Sequence, residues 1–270
     1  MNFNSWFGSR RLLMTCLVLV CGLAAPGVFA AKGAGALEQV KKAGKLLVAI
    51  DATYPPMESE GPDGKPVGFD IDFANELAKR LGVKAEFVVM NWDGILAGLN
   101  SKRYDVIISS MNITEDRKKQ VDFVEYVRMS QLFITKAGVT IGKEADLAGK
   151  VVAVQADTTS HEFAEKVRKS GVAVKDIKAF KLATDAFAAV KAGQAEVIIV
   201  DEPVGRYYAK QDAKTFQSSG RAMAPEPVGI AIRKTDADLQ QEINKAVEQM
   251  KQDGTLKKIS ETWFGGELGA

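Results

Sequence analysis

The chain has 270 residues, 46% hydrophobic and 26% charged, which fits a globular protein and excludes a mainly disordered or collagen-like one. The length is more than one compact core usually takes, so two lobes are expected. With 36 basic against 34 acidic side chains the net charge is +2, which gives neither a basic footprint for nucleic acid nor an acidic tail.

Arg10 and Arg11 precede an apolar run from Leu12 to Ala25, broken by Pro26 and Gly27. Val28-Phe29-Ala30 places small residues at −3 and −1 of a cut before Ala31. This is the three-part pattern of a secretory signal peptide over 1–30, and the run is short of the ~20 residues of a membrane span. Ser9-Arg10-Arg11 is only a partial twin-arginine pattern, so the general export route is expected. Both cysteines, Cys16 and Cys21, fall in the leader, and neither follows the Gly or Ala of a lipoprotein cut. The remainder is formally neutral, has no thiol and carries one histidine, His161. It can build no Cys/His zinc site, disulfide or cysteine nucleophile.

From Leu46 onward, short β-branched runs alternate with helical patterns, as in α/β architecture. Leu46 to Ile50 reads as a buried strand, followed by a Pro/Gly-rich loop from Pro55 to Pro66. Asp70 is placed to cap a helix with Ile71, Ala74, Leu77, Ala78 and Leu81 on one face, ended by Gly82. A strand at Ala85 to Val89, a helix from Trp92 and a strand at Val106 to Ile108 follow. After Val121-Asp122-Phe123 the chain is expected to change lobes, with strands at Ser130 to Thr135 and Val151 to Val154. Helices are expected near Glu162 to Lys169 and over Ala183 to Lys191, then a strand at Val197 to Val200. Pro225 and Pro227 punctuate a return before Gly229 to Arg233, and helices over Leu239 to Met250 and Leu256 to Trp263 close the chain.

Open α/β sheets bind ligands beyond the carboxyl ends of their strands. Polar residues gather there: Asp51, Thr53 and Tyr54; Ser109, Ser110 and Asn112, with Arg117 shortly after; Gln155, Asp157, Thr158 and Thr159; Asp201 and Glu202. Each has a plainer reading. Ser, Thr and Asp after strands often cap helices, Arg117 fits a solvated charge run, and Tyr54 or Trp92 alone fits packing. His161 reads as a surface residue. The pattern makes a cleft plausible without naming its ligand.

A family pattern runs through these same residues. Val67-Gly68-Phe69-Asp70-Ile71-Asp72, Trp92-Asp93-Gly94 and Ser109-Ser110-Met111-Asn112-Ile113-Thr114-Glu115-Asp116-Arg117 occur in order. Val154-Gln155-Ala156-Asp157-Thr158-Thr159, Asp201-Glu202-Pro203 and Trp263-Phe264-Gly265 follow. With them the chain resembles the periplasmic solute-binding proteins, family 3, of polar amino-acid ABC importers. The resemblance implies the α/β, two-lobed type II periplasmic binding fold, each lobe a mixed sheet flanked by helices, with two hinge crossings. It divides the chain into lobe 1 (31–128 and 229–270) and lobe 2 (129–228).

It also implies roles by position. Arg117 clamps the ligand α-carboxylate through parallel charge-assisted bonds. Ser110 and Asn112 hold that end and the α-ammonium, Thr159 approaches the carboxylate from the second lobe, and Asp201 pairs with the ammonium. Tyr54 and Trp92 flank the side chain, Asp51 faces its far end, and Ser109, Asp157 and Thr158 complete the set. Asp157 stands where the family usually has Gly, and Asn112 where it often has Ser.

The function implied is a periplasmic, monomeric receptor that binds one polar L-amino acid and presents its closed form to a membrane ABC permease. No cofactor, metal or catalytic residue is implied. Asp51, helped by Asp157, favours arginine, lysine, ornithine or histidine, with glutamine close behind, and disfavours glutamate and aspartate. The alternatives are an enzyme on the same scaffold, similar to cyclohexadienyl dehydratase, and a sensory domain that docks on a receptor or kinase.

Overall fold

The computed structural model describes residues 35–220, 223–266 and 268. The expected leader, its cut and both cysteines lie outside the described residues.

Helix α1 (Ala36–Ala43) ends at Gly44, whose left-handed φ of 67° turns the chain into strand β1 (Lys45–Ile50). Val48, Ala49 and Ile50 are all buried, as in a strand covered on both faces. The Pro/Gly-rich segment forms a small antiparallel sheet rather than a loop alone: β2 (Thr53–Tyr54), β3 (Glu58–Glu60) and β4 (Pro66–Val67).

Helix α2 (Phe69–Arg80) corrects the reading of Asp70 as its cap. The cap position belongs to Gly68, at φ 143°, where a Cβ would run into the Met57 carbonyl. Only glycine lets the chain pass this close. The Phe69 and Asp70 N–H groups bond the Pro56 and Met57 carbonyls, so Asp70 enters the helix fully buried beside β3.

Strand β5 (Lys84–Val89) is followed by a 3-10 turn at Trp92–Gly94 and helix α3 (Ile95–Asn100). Next come β6 (Val106–Ile107), the short helix α4 (Glu115–Gln120) and β7 (Val121–Met129). The expected lobe change after Phe123 is displaced, because β7 runs on to Met129. Ser130 alone separates it from β8 (Gln131–Lys136), in a different sheet.

The second series comprises β9 (Val151–Gln155), α5 (Thr159–Lys169), β10 (Asp176–Phe180), α6 (Ala183–Lys191), β11 (Val197–Asp201), α7 (Glu202–Gln211) and β12 (Phe216–Ser219). Strand β13 (Glu226–Arg233) returns to the first sheet, and helices α8 (Ala237–Gln252) and α9 (Thr255–Phe264) follow.

The two five-stranded sheets share one plan. In the order β5-β1-β6-β13-β7, the first three strands are parallel, β13 is antiparallel to β6, and β7 antiparallel to β13. In the order β10-β9-β11-β8-β12, the first three are again parallel, with β8 and β12 reversing in turn. The chain thus passes between sheets twice, from β7 to β8 and from β12 to β13. The result is the two-lobed α/β fold, with parallel strand ends of both sheets available to one cleft.

Candidate functional site

Where the two sets of loops meet, Asp51, Tyr54, Glu58, Trp92, Ser109, Ser110, Asn112, Gln155, Thr158, Thr159, Ser160 and Asp201 line one narrow cavity. Nine of the eleven residues picked from the sequence line it; Arg117 and Asp157 stand beside it rather than on its wall.

Arg117 corrects the reading of a solvated charge. Helix α4 is capped by Thr114, whose Oγ1 accepts the Arg117 N–H, and the side chain turns inward to 8% exposure. Nη1 donates to the Asn112 carbonyl at 2.9 Å, and Nη2 to the Asp157 carbonyl on the other lobe at 3.2 Å. The guanidinium lies 5.3 Å from the centroid of the Trp92 ring. The Trp92 Nε1–H reaches the same Asp157 carbonyl at 3.0 Å. Burial draws the Arg117 pKa down, while Glu162, Asp201 and Glu226 oppose it. It remains a cation.

The oxygen that matters on Asp157 is thus its backbone carbonyl. The residue sits at φ 59°, the left-handed region where glycine is at ease and aspartate is tolerated. Its side chain is exposed and off the cavity wall, so the expected help to Asp51 in favouring a cation is not supplied there.

Asp51 and Asp201 both present carboxyls to the cavity. Asp51, after β1, accepts the Thr53 hydroxyl at 2.9 Å and, across the cleft, the Gln155 amide at 2.6 Å. Burial raises its pKa against both bonds. Asp201, ending β11, accepts the Tyr54 hydroxyl at 2.9 Å on Oδ2, while its buried Oδ1 has no partner. Burial pushes the Asp201 pKa up to about 7, with the Tyr54 bond opposing. Its side chain makes no helix-capping bond, although it precedes α7; Thr158, by contrast, does cap α5.

The lining hydroxyls are committed to the protein. Ser109 donates to Glu58, Ser110 to Asp70, Thr158 to the Gln155 carbonyl and Thr159 to Asn112 Oδ1. Thr159 also accepts the Gln131 amide at 2.6 Å. Asn112 Nδ2 reaches Glu226 at 3.4 Å, and at the rim Lys181 pairs with Asp93 at 3.4 Å. Bonds therefore cross the cleft at several points, and the lobes stand closed on one another.

Sequence reasoning gathered Gln155 at the cleft but gave it no ligand role, and left Glu58 and Ser160 out altogether. Gln155 closes β9 and was open to the same strand-end argument as Asp51. Ser160 follows the Thr pair in the first turn of α5. Glu58 lies within the segment read as loop and carries no local signal.

These features coincide with a known family. Residues 46–266 match the family described as bacterial extracellular solute-binding proteins, family 3. The chain belongs to that family. It is 37% identical over 237 residues to the L-cystine-binding protein TcyJ of Escherichia coli (strain K12), covering 87% of this chain and 88% of that protein. Among solved structures, an ancestral arginine-binding protein bound to arginine superposes with a TM-score of 0.79 at 44% identity, covering 82% of this chain and 99% of that one. The ancestral amino acid-binding protein AncCDT-1, a precursor of cyclohexadienyl dehydratase, gives 0.78 at 39% identity, covering 84% and 99%.

Proposed function

We infer that this chain is the periplasmic binding component of an ABC importer for a polar L-amino acid, basic or glutamine. One observation carries the ligand class: the cavity is rich in acceptors and poor in free side-chain donors. Hydroxyls of Tyr54, Ser109, Ser110, Thr158 and Thr159 donate to protein oxygens, while the buried Asp201 Oδ1 receives nothing. A ligand ammonium supplies the missing donor at Asp201. A side-chain guanidinium, ammonium, imidazolium or amide supplies another at Asp51, and a second carboxylate would meet repulsion there. Arg117 holds the α-carboxylate with the rest of its five N–H donors.

The relatives are binding proteins, and the same reading holds for this chain: it captures its ligand without chemistry, as a monomer. The leader over 1–30 exports it. Lobe 1 comprises 31–128 and 229–270, lobe 2 comprises 129–228, and hinges at 128–131 and 225–229 close them for recognition by a permease.

The test is a thermal-shift and calorimetric screen with arginine, lysine, ornithine, histidine, glutamine, cystine and glutamate. Basic amino acids are expected to raise the melting temperature as binding to the native state requires, and to be recovered unaltered. A response to glutamate alone, or to none, would remove this reading. Cystine as the sole ligand would keep the receptor and change its specificity.

A further inference from the structure

On the cavity wall, Glu58 at 1% exposure neighbours a second buried carboxyl, Asp70, at 0%. Asp70 is well supplied with donors: the Tyr126 hydroxyl reaches Oδ1 at 2.6 Å and the Ser110 hydroxyl Oδ2 at 2.8 Å. Glu58 receives the Ser109 hydroxyl on Oε1 at 2.7 Å, and its buried Oε2 receives no protein donor. The titratable groups facing Glu58 are Asp70, Asp51, Tyr54 and Tyr126, and no cation stands among them. Two negative charges cannot share such a site without compensation, so one proton stays. It belongs on the oxygen without a donor.

We propose that Glu58 is a positioning residue: a neutral carboxylic acid whose Oε2 proton bridges to Asp70, fixing the Ser109 and Ser110 hydroxyls so that they offer lone pairs, not protons, on the cleft side. The consequence reaches the ligand through Ser109. With its own proton committed to Glu58, the Ser109 hydroxyl accepts the Asp51 backbone N–H at 3.0 Å. Glu58 thereby sets the position of the residue that reads the ligand side chain. Burial, reinforced by the charge of Asp70, holds Glu58 well above the usual carboxylate range. The role toward the ligand rests on the amino-acid reading above; the proton does not.

Three variants and two readouts test this. Glu58→Gln places an amide where the acid stood, its carbonyl accepting from Ser109 and its N–H donating to Asp70. Glu58→Leu can do neither. Asp70→Asn turns an N–H toward the Tyr126 or Ser110 donor. In the infrared difference between parent and Glu58→Gln, at mildly alkaline pH, the carbonyl band of a protonated carboxyl should appear in the parent. No ligand is needed, so this arm decides the proton even if no amino acid binds.

In arginine titrations of variants shown to be folded by circular dichroism, Glu58→Leu and Asp70→Asn should each lose about tenfold or more in affinity. Glu58→Gln should restore binding to within about threefold of the parent. A missing carboxyl band overturns the proposal. So does a Glu58→Gln variant as weak as Glu58→Leu, which would mean that a charge on Glu58 holds the ligand directly.

Discussion

Tyr54 and Asp201 join the two lobes by a reciprocal pair of hydrogen bonds: the Tyr54 hydroxyl donates to Asp201 Oδ2 at 2.9 Å, and the Asp201 backbone N–H donates back to that hydroxyl at 3.3 Å. Both residues line the cavity, and burial raises the pKa of both groups. It links lobe closure to the charge on the residue assigned to the ligand ammonium.

Removing the hydroxyl with Tyr54→Phe should therefore weaken closure more than folding. Both Asp201 oxygens would lack side-chain donors in the closed form, at a cost of about 1–3 kcal/mol, yet could be rehydrated when the lobes part. Solution scattering of the ligand-free variant should give a larger radius of gyration than the parent, with a nearly unchanged melting temperature. Unchanged scattering with a lowered melting temperature would make the pair a structural bond only.

The raised Asp201 pKa gives binding a pH dependence. An incoming ammonium needs the ionised carboxylate, so capture below about 7 releases a proton. Affinity should fall by up to about tenfold per pH unit on the acid side and level off above. Stability of the ligand-free protein runs the other way. The native chain holds the Asp201 proton more tightly than the unfolded chain, so this contribution is complete below the ordinary 3.8 and is lost as pH rises through about 7. Calorimetry in buffers of different protonation enthalpy measures the released proton directly; its absence near neutral pH would contradict the assignment.

Much of this site is legible in the sequence because strand ends announce themselves. Asp51, Ser109, Gln155 and Asp201 each follow a short apolar run, and the α/β rule sends such residues to the cleft. The rule says nothing of partners brought in from elsewhere. Glu58 sits on a short strand inside a Pro/Gly-rich stretch, and its place is set by the Gly68 crossing and the bonds of Phe69 and Asp70 to Pro56 and Met57. Asp70 read as a cap because Asp before an apolar helical face usually is one. Its burial by Ser110 and Tyr126 depends on contacts 40 and 56 residues away. By its charge run alone Arg117 fitted a solvated residue, and only the family resemblance assigned it the ligand carboxylate; its neighbours Glu115, Asp116, Lys118 and Lys119 are exposed. The short helix α4 turns that one position of the charge run inward.

Arg117 touches both lobes, so its replacement separates charge from geometry. Arg117→Lys keeps a cation but cannot reach the Asn112 and Asp157 carbonyls with one rigid fork. Arg117→Ala removes both and should lower ligand affinity by ~2–5 kcal/mol, the range for a buried charged pair that loses one partner. Lysine should recover part of that loss. Near-native calorimetric affinity in the alanine variant would take Arg117 out of the site.

Asp51 should decide which side chain is accepted while leaving the α-amino-acid clamp alone. Its two carboxylate oxygens are held by Thr53 and by Gln155, so it lines the cavity with both oxygens fixed in place. Asp51→Asn removes the carboxylate charge and turns one acceptor into a donor. The Thr53 hydroxyl can rotate its proton away and accept from the new amide, whereas the Gln155 N–H cannot, so the Asn oxygen should settle toward Gln155 and its N–H toward Thr53. The fold and the Gln155 bond across the cleft should therefore survive. For arginine, lysine and histidine the affinity should fall strongly, because a buried cation loses its counter-charge. For glutamine, whose amide can donate or accept, the fall should be much smaller. Titrating the variant and the parent with all four ligands gives the answer. If the four affinities change by a common factor, Asp51 serves closure through Gln155 rather than recognition, and the preference for a basic ligand loses its main support.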